Sequence, residues 1–149
     1  MTSRTPTFAI RAVLGGLLAF CVLRAAAAAQ EAADGRLSVE LNAVETMETG
    51  CALTFLIQNG HPDPIEAAVF ETVLFDAQGQ VERLTLFDFQ ALPSNRPRVR
   101  QFVVPGLACE AIGRVLFNGA DTCTVAGQDS DICETGLTLS SRTDVEIIG

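Results

Sequence analysis

The residues in this sequence best suited to bind a charged group are three alternating arginines, Arg96, Arg98 and Arg100. Two of them lie in a β-rich run, residues 98–104, of a chain that has no lysine. If Val99 points into the protein, strand alternation places all three arginines on the outward face. A guanidinium group binds a carboxylate or phosphate through two parallel hydrogen bonds, so this arginine stripe is a candidate contact for a partner.

A second interpretation of the arginine stripe is structural, and it is the one we favour. Acidic side chains on the β-rich runs just before it would pair with the arginines across the sheet. The candidates are Glu71, Glu82 and Asp88. In that case the arginines stabilise the fold and take no part in recognition.

His61 is the sole histidine of the sequence, and histidine is the side chain that most often serves as a general base. It lies in the run NGHPDP, residues 59–64, where its neighbours favour a turn. No serine or cysteine nucleophile and no pair of carboxylates has a recognisable catalytic spacing around it. We therefore predict that His61 is a solvated turn residue and that the protein is not an enzyme.

Four acidic residues crowd the polar segment 121–136: Asp121, Asp129, Asp131 and Glu134. Calcium takes about six to eight oxygen ligands, which acidic loops of this kind often supply. The segment contains only the fragment DSD and lacks the ligand spacing of an EF-hand. We therefore predict a solubilising loop, with no metal site and no cofactor.

The cysteines indicate an oxidising compartment. Apart from Cys21, which lies in an apolar N-terminal run, the sequence has four: Cys51, Cys109, Cys123 and Cys133. An even number in a small exported chain predicts two disulfides. No two of them form a C-x-x-C pair, which argues against a thiol oxidoreductase and against a zinc knuckle.

The first 29 residues have the pattern of a secretory signal peptide. Arg4 and Arg11 carry positive charge, residues 12–23 are apolar or glycine, and the alanines up to Ala29 offer cleavage sites. The apolar run is too short for a spanning helix, which needs about 20 residues. We predict cleavage near Ala29, which leaves one domain, residues 30–149.

A lipoprotein is the alternative interpretation of the N-terminus, because Cys21 follows the residues Leu-Ala-Phe. A lipid-attachment site requires a small residue just before the cysteine, whereas Phe20 is large. We therefore expect a periplasmic or secreted protein without stable membrane insertion. A membrane-tethered lipoprotein with the same domain remains the second interpretation.

The charge of the mature chain excludes some classes of partner. All 18 acidic residues follow residue 29, whereas three of the ten arginines precede it, so the mature chain has a formal net charge of −11. Such a surface repels nucleic acid and anionic lipid. We expect no nucleic-acid binding, and a partner that is another periplasmic or envelope protein.

Seven β-rich runs separated by turn residues make up the domain, and no long helical pattern interrupts them. They are residues 36–44, 51–58, 65–75, 80–89, 98–104, 112–117 and 137–148. This pattern predicts a single antiparallel β-sandwich of the immunoglobulin-like type. The third and fourth runs have apolar residues on both alternating faces, which predicts a hairpin in the middle of a sheet.

One part of that hairpin has an ambiguous pattern. Phe87 and Phe89 share one face of the strand, and Leu84 and Leu86 share the opposite face. Either both faces are covered, or the apolar face changes side at a bulge. An exposed aromatic patch would indicate a partner, but we favour packing of these residues in the core.

The predicted topology also suggests how the cysteines pair. In an immunoglobulin-type sandwich, the second strand begins at the end where the fifth strand turns into the sixth, which places Cys51 near Cys109. The loop between the sixth and seventh strands lies at the opposite end and contains Cys123 and Cys133. Of the three possible connectivities, Cys51–Cys109 with Cys123–Cys133 needs no long reach.

Two resemblances to known families agree with an exported sandwich domain. The run VLFDAQGQV, residues 73–81, resembles the strand-turn-strand core of the FxLYD type of exported bacterial immunoglobulin-like domains. Most of the mature chain is similar to a group of uncharacterised exported bacterial proteins labelled twin-arginine (Tat) signal domain proteins. The matching motifs are LTLFDF (84–89), RPRVRQF (96–102), PGLAC (105–109) and GRVLFNG (113–119). The resemblance implies export and an immunoglobulin-like fold, and it implies no catalytic residue.

Overall fold

The computed structural model describes residues 35–149. The predicted signal peptide, residues 1–29, and Cys21 therefore lie outside the described residues. The strands are β1 (Leu37–Met47), β2 (Gly50–Asn59), β3 (Ala67–Phe75), β4 (Val81–Asp88), β5 (Arg98–Pro105), β6 (Arg114–Val125), β7 (Gln128–Asp129), β8 (Thr138–Ser141) and β9 (Glu146–Ile148). One turn of 3₁₀ helix, Cys109–Ala111, connects β5 to β6.

The strands form two sheets that pack as a sandwich, which confirms the predicted fold class. Sheet one has the order β5-β2-β1-β8, and sheet two has the order β4-β3-β6-β7 with β9 also beside β6. Two pairings are parallel, β1 with β8 and β6 with β9. The sheets are therefore mixed, although the consecutive strands β1–β2 and β3–β4 are antiparallel as expected.

The core follows from the alternation of side chains along β2, where the small residue Ala52 is buried in addition to the inward residues. The inward residues of β2 are fully or almost fully buried: Cys51, Leu53, Phe55 and Ile57. Phe55 lies at the centre, with four other phenylalanine rings at centroid distances of 5.6–6.0 Å: Phe87, Phe89, Phe102 and Phe117. Tilted and edge-to-face contacts of this kind stabilise aromatic clusters beyond their buried area.

β4 is an edge strand of sheet two, so the predicted mid-sheet position of the hairpin is wrong for its second strand. Phe87 and Phe89 pack in the core, as we favoured, with exposures of 2% and 0%. The outward residues Leu84 and Leu86 are 63% and 53% exposed. Apolar residues on both faces therefore do not mean that both faces are covered.

β6 is longer than the sequence pattern predicts. We expected it to end before Asn118 and Gly119, but it continues to Val125 and contains the first residues of the expected acidic loop. The pairing register of β3 with β6 shifts at this point, so that the two residues form a bulge within the strand. Gly119 has φ 151°, and a Cβ there would lie 3.1 Å from Oε1 of Glu134.

The predicted final strand, residues 137–148, is divided into β8 and β9 by a bend. The hydroxyl groups of Ser141 and Thr143 accept hydrogen bonds from the backbone N–H groups of Thr143 and Val145. These local bonds replace ladder bonds at the bend. The two halves therefore join different sheets, β8 beside β1 and β9 beside β6.

Candidate functional site

The structure contains both predicted disulfides. Cys51 on β2 is bonded to Cys109 in the 3₁₀ turn, with a Cα–Cα distance of 4.9 Å. Cys123 on β6 is bonded to Cys133, with a Cα–Cα distance of 6.0 Å. Two disulfides fit a protein that resides in an oxidising compartment. Within residues 35–149, no helix has the length and apolar character needed to cross a membrane.

His61 lies in the loop after β2, but it is less solvated than we expected. Its Nε2 atom is buried and has no hydrogen-bond partner among the described residues. The nearby hydroxyl of Ser94 donates to the backbone oxygen of His61, at 2.5 Å, and not to the imidazole. The loop therefore does not bring a serine nucleophile and the imidazole into a catalytic hydrogen bond.

Asn59 holds this loop together, a role that the sequence analysis missed. The residue is 1% exposed, and its Nδ2 donates to the backbone oxygens of Leu92, at 2.9 Å, and Asp63, at 3.0 Å. Its Oδ1 accepts from the backbone N–H of His61, at 2.9 Å. Asn59 thus joins the end of β2 to the loops before β3 and after β4.

The acidic residues of 121–136 lie on different elements. Asp121 is on β6 and Asp129 is on β7, and the carboxylate of Glu134 accepts a hydrogen bond from the backbone N–H of Ala120, at 3.0 Å. In the described part of the chain, no three potential ligand side chains converge on a position that could hold a metal ion.

The arginine stripe is oriented differently from our expectation. Val99 is 59% exposed, so it points outward and Arg98 and Arg100 point toward the gap between the sheets. Arg100 donates to backbone oxygens, from Nε to Phe89 at 2.9 Å and from Nη2 to Ala91 at 3.4 Å. These are contacts with the chain that follows β4.

The favoured ion pairs of the arginine stripe with Glu71, Glu82 and Asp88 do not form. The salt bridges among the described residues are Arg114–Glu146 and Arg142–Glu40. The carboxylate of Glu71 instead accepts a hydrogen bond from Asn118. Recognition of a partner by Arg96, Arg98 and Arg100 stays a prediction.

β5 is one edge strand of sheet one and β4 is one edge strand of sheet two. The two strands meet along one side of the sandwich, which we call the open side. Arg83 on β4 donates to the backbone oxygen of Pro105 at the end of β5, at 2.8 Å. Farther along, the rings of Phe87 and Phe102 stack with centroids 4.4 Å apart. Beyond these rings, Arg100 donates hydrogen bonds to the backbone oxygens of Phe89 and Ala91, which follow β4.

A groove of about 240 Å³ lies between these edge strands. Its lining residues are Arg83, Thr85, Leu86 and Phe87 from β4 and residues 101–105 from β5. The stacked phenylalanine rings form its apolar floor, and the guanidinium of Arg83 lies at one end. The groove can accept an apolar side chain next to a negatively charged group.

An apolar patch covers the outward face of sheet two next to the same edge. Leu84 on β4 is the cross-strand neighbour of Val73 on β3, which neighbours Leu116 on β6, which neighbours Ile148 on β9. We call these four residues and Leu86 the outer patch. None of the five belongs to the main cluster of core residues between the sheets, but Val73 is only 7% exposed, whereas Leu84 and Leu86 are the exposed members. The outer patch is a continuous row of apolar side chains across four strands.

These features define a disulfide-stabilised, all-β sandwich with one open side and an apolar face. No protein-family model matches the chain, and no curated protein matches it. IrmA from Escherichia coli has a similar structure, with a TM-score of 0.58, 15% sequence identity, and coverage of 70% of this chain and 90% of IrmA. At this identity the similarity concerns the fold alone.

Proposed function

We propose that this protein is an exported, non-enzymatic binding module that contacts another protein through the outer patch. The observation that carries the proposal is the exposure of Leu84 and Leu86, 63% and 53%, beside the apolar row of sheet two. A contiguous apolar surface of this kind marks an interaction site more often than isolated exposed leucines do.

The fold itself does not require leucine at these positions. An edge strand normally has polar or charged residues on its outward face, because these prevent unwanted pairing and improve solubility. Leu84 and Leu86 point away from the core, so they add little to the packing of the sandwich. Their exposed surface becomes favourable when a partner removes it from water.

The polar border of the outer patch supports a specific contact. The ion pair of Arg114 with Glu146 lies on one side of the apolar row, and the hydrogen bond of Asn118 with Glu71 lies on the other. An apolar centre with a polar rim is the usual composition of a protein–protein interface. The disulfides also reduce the conformational entropy that is lost on binding, because they already constrain the loops at both ends of the sandwich.

The proposed location is the periplasm or the cell exterior. The two disulfides, the signal-like residues 1–29 and the resemblance to exported bacterial proteins support it. The mature protein begins near Gln30 in this proposal. Mass spectrometry of the protein from soluble and membrane fractions tests it, since a lipid-modified N-terminus at Cys21 would instead identify a tethered lipoprotein.

Binding by the outer patch is tested with matched charge substitutions. Leu84→Asp places a carboxylate in the patch, and Met47→Asp places one at another exposed apolar residue, 45% exposed, at the end of β1 and outside the open side. After chemical crosslinking in an envelope fraction, Leu84→Asp should lose a partner that the wild type and Met47→Asp both retain. A partner profile identical for all three proteins would refute the proposal.

A further inference from the structure

We propose that the partner binds as an extended strand added to the free edge of β4. The added strand has apolar residues on its outward face and acidic residues at both ends of its inward face. This inference rests on the proposed function, which it makes more specific by naming the binding mode and the chemistry of the partner.

The edge of β4 is open. In sheet two, β3 lies on one side of β4, and no strand of residues 35–149 lies on the other. The outer edge of β4 therefore presents a row of backbone N–H and C=O groups. Proteins usually protect such edges with lysine, proline or a bulge. The segment from Leu84 to Phe87 has no charged residue and no proline, and the bulge of this pairing lies before it, at Leu74 and Phe75.

The alternation of β4 determines the pattern that an added strand needs. Leu84 and Leu86 lie on the outward face, and Arg83, Thr85 and Phe87 lie on the opposite face and line the groove, which Leu86 also borders. Side chains of a neighbouring strand alternate in the same way and contact those directly across. Outward residues of the added strand therefore extend the outer patch, and inward residues cover the groove.

The groove side is the basic region of an acidic domain. Four of the seven arginines in residues 35–149 lie on or beside β4 and β5: Arg83, Arg96, Arg98 and Arg100. By contrast, Arg114 and Arg142 are paired with carboxylates elsewhere in the fold. A guanidinium has five N–H donors, and Arg83 commits one of them to the oxygen of Pro105. Inward acidic residues complement this region.

The positions of the guanidinium groups set the length of the bound segment. Arg83 marks one end of the phenylalanine floor, and Arg100 marks the other. Three N–H groups of Arg100 donate to the backbone oxygens of Phe89, Val99 and Ala91, which leaves two of its five for a carboxylate. Six residue-to-residue steps of extended chain lead from residue 83 to residue 89, a length of about 20 Å at ~3.3 Å per residue. A seven-residue strand with acidic first and last residues spans this distance and directs both toward the groove.

A second copy of this protein fits the edge less well than a foreign acidic segment. If two β4 strands paired antiparallel about Thr85, Leu84 would lie opposite Leu86, and Arg83 would lie opposite Phe87. This pairing gives Arg83 no carboxylate. It also brings together two domains that are each strongly acidic, which long-range repulsion opposes.

A synthetic peptide tests the binding mode directly. The probe is the blocked heptapeptide Glu-Val-Thr-Val-Thr-Val-Glu, with a fluorescent label, titrated with the mature protein and followed by anisotropy. We expect saturable binding, and binding about tenfold or more weaker when lysine replaces both glutamates. Equal binding of the two peptides would overturn the proposed charge recognition.

Backbone methylation distinguishes strand addition from other modes of binding. In an antiparallel pair, alternate N–H groups of the peptide point toward the protein and the others point away. One peptide is N-methylated at its valines and another at its threonines. We expect one of the two sets to abolish binding and the other to leave it within about threefold. Equal effects of both sets would overturn strand addition.

Two protein variants with the same change in charge serve as a further control. Arg83→Gln should weaken peptide binding at least about fivefold, whereas Arg142→Gln, on the salt bridge to Glu40, should change it less than about twofold. Circular dichroism and the denaturation midpoint show whether each variant folds. Equal effects of the two variants would overturn the role of the groove.

The peptide test can fail while the proposed function holds. If Leu84→Asp abolishes capture of the envelope partner but no acidic peptide binds, strand addition is wrong and the binding role stands. If neither experiment shows binding, both proposals fail. If sedimentation shows a dimer that Leu86→Asp dissociates, the occupant of the edge is a second copy, which also overturns the inference.

Discussion

Replacement of Asn59 by aspartate is the sharpest test of how the loops at the end of β2 are held. The substitution preserves the shape of the side chain and exchanges the Nδ2 donor for an oxygen. That oxygen would face the backbone oxygens of Leu92 and Asp63, now 2.9 and 3.0 Å from Nδ2. Two favourable hydrogen bonds thereby become two repulsive contacts inside the protein.

The free-energy cost of Asn59→Asp follows from the burial of the Asn59 side chain. Asn59 is 1% exposed, so water cannot readily replace the lost donor. A buried acceptor without a partner costs about 1–3 kcal/mol, and two such acceptors give about 2–6 kcal/mol. We expect Asn59→Asp to destabilise the domain by about 4 kcal/mol, a large part of the ~5–15 kcal/mol that holds a domain of this size.

Guanidinium denaturation followed by circular dichroism measures this change, because the chain has no Trp or Tyr for fluorescence detection. With a slope of about 3 kcal/mol per molar denaturant, a loss of about 4 kcal/mol should lower the midpoint by about 1.3 M. Asn95→Asp provides the control, because it makes the same change at an exposed residue of the adjoining loop, and it should cost less than about 0.5 kcal/mol. Equal midpoints for the two variants would refute the assigned role of Asn59.

Two further predictions concern stability. Double alanine substitution of Cys51 and Cys109 should lower the free energy of unfolding by about 4 kcal/mol, and that of Cys123 and Cys133 by about 2.7 kcal/mol. The first loss is larger because the first disulfide closes the longer loop. Denaturation midpoints in the opposite order would contradict this. Hydrogen bonds from Asn42 and Arg142 lower the pKa of Glu40, so its contribution is present at neutral pH and is lost as the pH falls through that lowered value. Glu40→Gln should therefore destabilise by about 0.2–1 kcal/mol at pH ~7 and by progressively less as the pH falls below the usual range of a carboxyl group, and a deficit independent of pH would exclude this effect.

The sequence predicts the strands best where one face is apolar and the other polar. Along β2, Leu53, Phe55 and Ile57 share one face, and Leu56 is the one large apolar residue on the other. The pattern therefore favours one orientation, and Leu53, Phe55 and Ile57 are buried. β4 and β5 have apolar residues on both faces, so alternation cannot decide which face is inside. We therefore expected Val99 to point inward, whereas it is exposed. The predicted pairing of the arginines depended on that orientation of Val99.

The exposed edge of β4 depends on sheet order, which pairing between distant strands determines. No local pattern around Leu84 and Leu86 distinguishes an edge from a central strand. The run of turn-forming residues around Asn59 correctly predicts the end of β2. It does not show that the Asn59 side chain is buried among backbone oxygens of Asp63 and Leu92, since Leu92 is 33 residues away.

The division of the C-terminal segment between the two sheets has a consequence for the order of folding. β8 pairs with β1, where Ser38 lies opposite Thr138, so sheet one is completed by residues that are separated by about 100 positions in the chain. β9 completes the other sheet beside β6. Contacts this distant in sequence form late and slow the folding of β proteins. A chain that is synthesised from its N-terminus cannot complete either sheet until residues 138–148 have been made. Until then β1 and β6 each lack a neighbour, and the incomplete domain is open to aggregation and to chaperones that bind strand edges.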